Sequence, residues 1–419
     1  MLVWLFKLGE NIPVDGNNPK LSRTAMLAEE FSTNGHNVVW WMSTYDHLTK
    51  RQRSDEDQTI DIRLNYQIRM LHTPGYSKNV SLQRLRDHQI FDQRLKQEIQ
   101  ISQSPDVIIA SYPTIGACQI LINFAMEKKL PIFIDARDMW PDIFREYLPY
   151  LMHWFYPLIF KRQISSAVSI FNNATGIIGI TDEFVEWALS YTERSRDFFD
   201  HTAPLGYNKS YISTKKSKES YDFWGKYDLT NKDQIVCFFG VMSKKIDLDI
   251  VASALPALSK KFPRFKLVLC GNGDEDEKIK QIFSKFKNVI FPGWVNKSQI
   301  KALMQISTLG LAPYVSNRPD FLISMPTKII EYLSESLPVL TSLKGVSKKI
   351  LLDNNCGRFF DDEPSFIRSV SDLLNSKDEL RKARTAANHL FECNYRGDEI
   401  YKGVRLHIEK SCLIHGDKL

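Results

Sequence analysis

The chain has 419 residues, too many for one ordinary domain, and at ~100–200 residues per domain it calls for two or three. Hydrophobic residues make up 43% and charged residues 25%, the balance of a soluble globular protein. The net charge of +6, from 55 basic and 49 acidic residues, is spread along the chain without a basic tail; it suits phosphates or an anionic membrane surface and is too weak to argue for nucleic acid.

Six cysteines occur, Cys118, Cys237, Cys270, Cys356, Cys393 and Cys412, with no C-x-x-C pair and no metal-ligand spacing. Cys118, Cys237 and Cys270 sit in or beside apolar runs as small hydrophobes, which points to a reducing, cytoplasmic compartment. The sequon at Asn79-Val80-Ser81 is then coincidental. Met1 to Leu8 is apolar but short and reads as a buried first strand, not a signal sequence. No stretch reaches the ~18 apolar residues of a membrane span.

In chain order, Leu2–Leu8 reads as a strand, Ser22–Asn34 as a helix stopped by Gly35, and Val38–Met42 as a strand. Asp106–Ser111 is a buried strand, Ile115–Lys128 a helix and Pro131–Asp135 a strand. Ala174–Ile180 is a further strand, and Asp182–Tyr191 a helix capped by Thr181. Asn208 to Asp233 is polar, lacks a long apolar run and reads as a boundary region. The alternation then restarts, with strands at Ile235–Phe239, Phe265–Cys270, Val289–Phe291, Leu309–Ala312 and Val339–Thr341. Helices are expected at Leu248–Phe262, Lys297–Gln305 and Lys328–Ser336, and a last charged helical stretch from about Glu379 to Lys410. Short apolar runs alternating with helices imply parallel sheets covered on both faces, here as two successive Rossmann-like units with a cleft. The expected domains are 1–207, 208–390 and a C-terminal helix, 391–419, packing back on the first.

Ligands of such sheets bind beyond the carboxyl ends of the strands. After the first strand, Gly9 and Glu10 permit close backbone approach or form a plain loop. No G-x-G-x-x-G follows, which counts against a dinucleotide-dependent dehydrogenase. Asp135, Arg137, Asp138 and Asp142 crowd one strand end, as a hydroxyl-orienting or phosphate-holding group or as a structural ion pair. Beyond Gly240, Ser243, Lys244 and Lys245 lie before a helix and suit a diphosphate, or are a solvated loop. Gly271-Asn272-Gly273 is a tight turn, and Trp294-Val295 either pairs with a base edge or packs. The strongest segment is Ser324-Met325-Pro326-Thr327-Lys328-Ile329-Ile330-Glu331. It feeds a helix on which Lys328 and Glu331 share a face, and a carboxylate there can accept both hydrogen bonds of a ribose diol. The bland alternative is an i,i+3 surface ion pair. His36 is a turn residue, and Asp247-Leu248-Asp249 reads as a helix cap, not a metal motif.

Together, GENIP, RTAMLAEEFSTNGHNVVWW with STYDH, the Ser77–Ser81 run, PDVIIASYPT, IDARDMWPD, FFG with DLD, LVLCGNG, FPGWV and PTKIIEYLSESLPVL follow one another in a familiar order. Over nearly the whole chain the sequence resembles the family 4 retaining glycosyltransferases of GT-B fold, and most the bacterial members that build O-antigen, capsule or exopolysaccharide units. The resemblance implies that Glu331 is the second glutamate of a Glu-x7-Glu signature and holds the donor ribose. Ile323 stands where the first glutamate belongs, so sugar contacts fall to Ser324, Met325 or nearby backbone. Val241 and Ile246 stand where relatives carry an arginine and a lysine for the diphosphate, leaving Lys244, Lys245 or Lys328. Arg137-Asp138 stands where many relatives have a histidine. The resemblance implies a nucleotide-sugar donor, a UDP-sugar foremost, no cofactor and no metal. The implied donor site is Gly240, Ser243, Lys244, Lys245, Gly271, Gly273, Trp294, Val295, Ser324, Pro326, Thr327, Lys328 and Glu331. Asp135, Arg137 and Asp138 are expected at the transfer point, and Gly9, Glu10, Asn79, Ser81 and Arg84 at the acceptor. Alternatives are a nucleotide-sugar 2-epimerase on the same fold and a non-catalytic partner of a polysaccharide assembly complex.

Tyr147–Arg162 (YLPYLMHWFYPLIFKR) is dense in aromatics and flanked by bases. It reads as a headgroup-region segment that positions a lipid-linked glycan acceptor at the inner membrane face, or as a buried helix interrupted at Pro157. Lys50, Arg51, Arg53, Arg84 and Arg86 support the first reading if they share that face.

Overall fold

The computed structural model describes residues 1–16, 19, 21–78, 81–209, 214–230 and 232–416. The chain divides into two compact units, Met1–Gly206 with Gly397–Leu419, and Tyr207–Arg396.

The first unit runs β1 (Leu2–Phe6), α1 (Arg23–Thr33), β2 (Asn37–Ser43), β3 (Tyr45–Asp46), β4 (Arg51–Gln52), β5 (Gln58–Arg63), β6 (Tyr66–Leu71), α2 (Leu82–Ile101), β7 (Val107–Tyr112), α3 (Ile115–Lys128) and β8 (Ile132–Ala136). It continues with α4 (Tyr156–Ile159), α5 (Lys161–Asn173), β9 (Gly176–Gly179), α6 (Asp182–Leu189) and β10 (His201–Thr202). Eight strands form one sheet in the order β10-β9-β8-β7-β1-β2-β6-β5, parallel except at the β5 edge. Side chains alternate across β1: Val3 and Leu5 face the core shared with α1, while Trp4 stacks on Phe124 of α3 at 5.5 Å and Phe6 meets Phe91 of α2 at 5.8 Å. Burial on both faces is why this strand reads as an unbroken apolar run.

The second unit comprises α7 (Thr214–Gly225), β11 (Gln234–Phe239), α8 (Asp249–Lys261), β12 (Phe265–Cys270), α9 (Asp276–Phe283), β13 (Val289–Gly293), α10 (Lys297–Ile306), β14 (Leu309–Ala312), α11 (Pro319–Leu322) and α12 (Thr327–Ser334). It ends with β15 (Val339–Thr341), α13 (Gly345–Asp353), β16 (Gly357–Phe359), α14 (Glu363–Leu374) and α15 (Lys377–Asn394). Its six parallel strands lie in the order β13-β12-β11-β14-β15-β16. Strand order therefore reverses direction between β11 and β14, the doubly wound arrangement whose ligand crevice opens at that point. Val251, Leu255 and Leu258 of α8 are fully buried against Val236, Phe238 and Leu267, each contributing roughly 1.5–3 kcal/mol of burial.

Two expectations change. The polar stretch 208–233 contains a helix, α7, that packs on α10. Ser220 and Trp224, four residues apart, supply its buried face, and the Trp224 indole donates to the Gln299 carbonyl at 2.8 Å. The charged C-terminal stretch is two helices parted at Tyr395–Arg396: α15 packs on α12 of the second unit, and α16 (Gly397–Gly416) packs on α1 of the first, burying Tyr401, Val404 and Ile408.

Candidate functional site

In the second unit, the loops after β11, β12 and β13 are laced together: the Gly240 N–H donates to the Cys270 carbonyl at 3.0 Å, and the Gly271 N–H to the Gly293 carbonyl at 2.8 Å. Gly271 has φ +127°, and a Cβ there would stand 1.9 Å from the Gly240 carbonyl oxygen, so no other residue fits. Helix α12 approaches the same strand end. The Lys328 ammonium lies 3.5 Å from the centre of the Phe238 ring and 5.6 Å from that of Tyr314, and would be 2.7 Å from a Cβ on Gly240. One helical turn on, Glu331 is buried, 8% exposed. Burial, then the Glu331 charge, push the Tyr314 hydroxyl well above its ordinary range. The helix is fixed by Tyr332, whose hydroxyl reaches the carbonyls of Cys237 and Leu311, both at 3.0 Å, and so ties α12 to β11 and β14. A cation, a glycine-lined strand end and a carboxylate thus meet where the strand order reverses. That set can hold a diphosphate and a diol.

Other expected residues of this unit sit differently. Lys244 and Lys245 stand in an exposed loop, because α8 begins only at Asp249; the loop pairs with the chain after β14 through the Val315 N–H to Lys245 carbonyl bond (3.0 Å). Asp247 does serve the helix start, accepting the Asp249 N–H at 3.1 Å. Trp294 is exposed and Val295 buried. Gly273 meets the Met242 carbonyl, where a Cβ would come to 2.1 Å. Pro326 is the N-cap of α12 and Thr327 its first residue. The side chain of Met325 is buried under Ser347, whose hydroxyl donates to the Ser324 carbonyl at 2.7 Å, so Met325 offers no contact to a ligand. Ser243 lies half-buried in the loop after Gly240. Tyr314 is a residue the sequence reading missed; an aromatic directly after Pro313 at a strand end was the available signal.

In the first unit, Asp135 and Arg137, expected at the transfer point, sit inside a buried ion cluster. Asp135 is fully buried, with both oxygens 3.1 Å from Arg23 Nε and Oδ2 2.6 Å from Arg137 Nε. Arg137 also pairs with Glu10 and donates to Thr24 Oγ1 at 2.8 Å, while Glu10 accepts the Thr24 N–H at 3.1 Å. Burial raises the Asp135 carboxyl, but the Arg137 and Arg23 guanidiniums outweigh it and hold the carboxyl below its ordinary range. This ion cluster ties α1 to the ends of β1 and β8, and Glu10, expected at the acceptor, belongs to it. Ser81 is the N-cap of α2, accepting the Arg84 N–H at 3.2 Å. Asn79 lies outside the described residues.

Gly9, Arg84 and Asp138 do come together, lining a cavity of about 210 Å³. It collects Lys7 after β1, Ser43 at the end of β2, Tyr45 of β3 and His47 after it, Tyr76, Asp87 and His88 around the start of α2, Thr114 after β7 and Trp140 after β8. Here too the cavity opens where strand order reverses, between β1 and β7.

The segment Tyr147–Arg162 is neither one interfacial helix nor a buried one. Two 3-10 turns, Asp142–Tyr147 and Tyr150–Phe155, lead into the short α4. Asp142 anchors it by accepting the Tyr156 and Tyr191 hydroxyls at 3.0 and 2.6 Å and the Trp187 indole at 2.7 Å. Outside the anchor, Tyr150 is 83%, Leu151 84% and Trp154 90% exposed, with Arg145, Lys161 and Arg162 exposed beside them in sequence. Arg53 is held by Asp15 and Asp46, and Arg84 lines the cavity, so neither is spare for a membrane face. Among the described residues no helix is long and apolar enough to cross a membrane, and no group of three or more His, Cys, Asp or Glu is placed to hold a metal.

Residues 223–389 match the family model of the Glycosyl transferases group 1. Over 166 residues the chain is 24% identical to a phosphatidyl-myo-inositol mannosyltransferase of Mycolicibacterium smegmatis, covering 39% of this chain and only 38% of that relative. Similar folds span the whole chain. A sucrose-phosphate synthase from Thermosynechococcus elongatus is 12% identical with a TM-score of 0.71 over 98% of both chains. Anabaena HepE, solved with UDP, is 13% identical with a TM-score of 0.65 over 98% of this chain and 99% of its own. WaaG, a glycosyltransferase of lipopolysaccharide biosynthesis, is 13% identical with a TM-score of 0.63 over 99% of both. The fold is α/β of the GT-B class, built of Rossmann-like units.

Proposed function

We propose that this chain is a glycosyltransferase that moves a sugar from a nucleotide-sugar donor, held by the second unit, to an acceptor bound by the first. The observation that carries the reading is that the stretch matching the Glycosyl transferases group 1 contains the Gly240, Lys328 and Glu331 cluster at the strand-order reversal. In this reading Lys328 and the backbone around Gly240 hold the diphosphate and stabilise its charge as it leaves, while Glu331 accepts from the ribose hydroxyls. UDP in the solved HepE structure favours a UDP-sugar. Retention of configuration and membership of family 4 rest on the sequence resemblance. A lipid-linked glycan acceptor, and a place in surface polysaccharide synthesis at the inner membrane face, are favoured by the exposed aromatic segment with its flanking bases.

The test is a thermal-shift screen of UDP-, GDP-, ADP- and TDP-sugars, since a ligand at 100 times its Kd stabilises the folded state by about 2.7 kcal/mol. Glu331→Ala should raise the KM of the donor that scores at least tenfold. Unchanged donor kinetics would remove Glu331 from the site, and an epimer formed from donor alone would make the chain an epimerase.

A further inference from the structure

We infer that the cavity at the β1/β7 strand-order reversal is a subsite for an anionic group, a phosphate or a carboxylate, with Lys7 and Arg84 as its cations and His47 as a neutral donor. Calling the bearer of that group the acceptor rests on the glycosyltransferase reading; the anion preference itself does not.

Four basic side chains from three places in the fold line one small cavity: Lys7 from the end of β1, His47 from the loop after β3, and Arg84 and His88 from the first two turns of α2. Lys50 stands behind this lining, its ammonium 3.3 Å from His47 Nδ1 and 4.7 Å from the centre of the Tyr76 ring. Two carboxylates line the cavity with them: Asp87 accepts the Gly75 N–H at 2.7 Å, and Asp138 the Met139 N–H at 2.8 Å, while Glu10 and Asp135 act on Lys7, and Asp46 on His47 and Lys50, from outside it. The Lys7 ammonium has no salt bridge or hydrogen bond among the described residues, although it shares the cavity with Asp138.

The imidazoles fit the same ligand. An ammonium can only donate, so His47 Nδ1, which faces both Lys50 and the Tyr76 hydroxyl (2.6 Å), is an acceptor. The neutral ring then carries its proton on Nε2, a donor for an oxygen anion. Burial, with the charges of Lys50 and Arg84, brings His47 down to about 4, and burial with Arg84 and His47 does the same to His88. Both rings are therefore uncharged at neutral pH. Burial, with the charge of Arg137, also lowers Lys7. An arriving anion relieves that crowding and gains charge-assisted hydrogen bonds. Trp140, near whose ring the Arg84 guanidinium sits at 5.7 Å, and Tyr76 supply an apolar wall for the body that carries the anion.

The experiment is calorimetric titration of the full chain, with saturating UDP present, using inorganic pyrophosphate, glucuronate and, as a neutral control, glucose. The expected result is binding of pyrophosphate or glucuronate but not glucose; whichever binds tighter tells phosphate from carboxylate. Lys7→Gln and Arg84→Gln should each weaken it about tenfold or more, Lys7→Arg should restore most of it, and Lys96→Gln, on the exposed face of α2, should leave it unchanged. If Lys7→Gln does not fold, Arg84→Gln carries the test. No anion binding while UDP binds normally overturns the subsite and leaves the glycosyltransferase reading standing. Anion binding in a chain that fails to bind UDP supports the subsite and counts against that reading.

Discussion

Arg137→Met separates a structural from a catalytic role for the cluster around Asp135. The substitution keeps much of the side chain's apolar volume but removes the guanidinium that neutralises Asp135 and Glu10 and reaches Thr24. Asp135 is 0% and Arg137 11% exposed, so solvent cannot replace what is lost. Breaking a buried pair by removing one partner costs about 3–5 kcal/mol. Arg23 still holds both Asp135 oxygens, which places the expected loss near the lower end, about 3 kcal/mol. At roughly 2–4 °C per kcal/mol for a unit of this size, the melting temperature should fall by about 6–12 °C. The pH dependence has a defined sign. The folded-state carboxyl of Asp135 lies below its ordinary value, so its contribution is present above the unfolded value and is lost as pH falls through the folded one. The wild type should therefore lose stability on acidification below about pH 4, and Arg137→Met should lose less over that range. The assay is differential scanning fluorimetry across pH 3–8, paired with UDP titration. A variant with wild-type melting but a kcat reduced a hundredfold would refute this reasoning and return Arg137 to the chemistry.

Tyr332→Phe removes one hydroxyl that serves two buried carbonyls, those of Cys237 and Leu311. It should cost about 1–3 kcal/mol in chemical denaturation and loosen donor binding through α12; full stability with full donor affinity would show that α12 is held by packing alone. Trp154→Glu, at a position 90% exposed, should leave melting unchanged and abolish co-sedimentation with anionic liposomes at low salt. If the wild type does not pellet with such liposomes, the membrane part of the proposed function falls.

The parallel strands and most of the helices between them were legible because strands buried on both faces must be apolar along their whole length, as LVWLF, VIIASY and QIVCFF are. What escaped is what carries a mixed face. Strand β5 (QTIDIR) is an antiparallel edge strand that exposes four of its six residues, and α2 buries only Asp87, Phe91, Leu95 and Ile99 of its twenty, so neither presents an apolar run. Helix α7 hides its buried stripe in two residues, Ser220 and Trp224, within a polar stretch. The ion cluster within IDARDMWPD was hidden for a different reason. Its partners Arg23 and Glu10 are far away in sequence, so the pattern shows where charges crowd but not whether they already satisfy one another.

A carboxylate or cation at a strand end is available to a ligand only if the protein has not already closed a shell around it, and sequence spacing carries no record of that. Glu10, Asp135 and Arg137 neutralise one another within hydrogen-bond distance, so recruiting any of them for chemistry means opening a buried network. Lys7 stands on the same strand end, one residue beyond β1, yet joins none of these bonds; it lines the cavity instead. Lys328 rests on the Phe238 ring beside Gly240, an arrangement that stabilises the cation at the strand end. In both units, then, the strand-order reversal brings a lysine to a strand end lined by glycine or aromatic residues, Lys7 beside Gly9 and Tyr76 and Lys328 beside Gly240 and Tyr314. In the proposed reading each would meet an anion, the first in the cavity of its unit and the second at the diphosphate of the donor, and Lys7→Gln and Lys328→Gln would report on them separately.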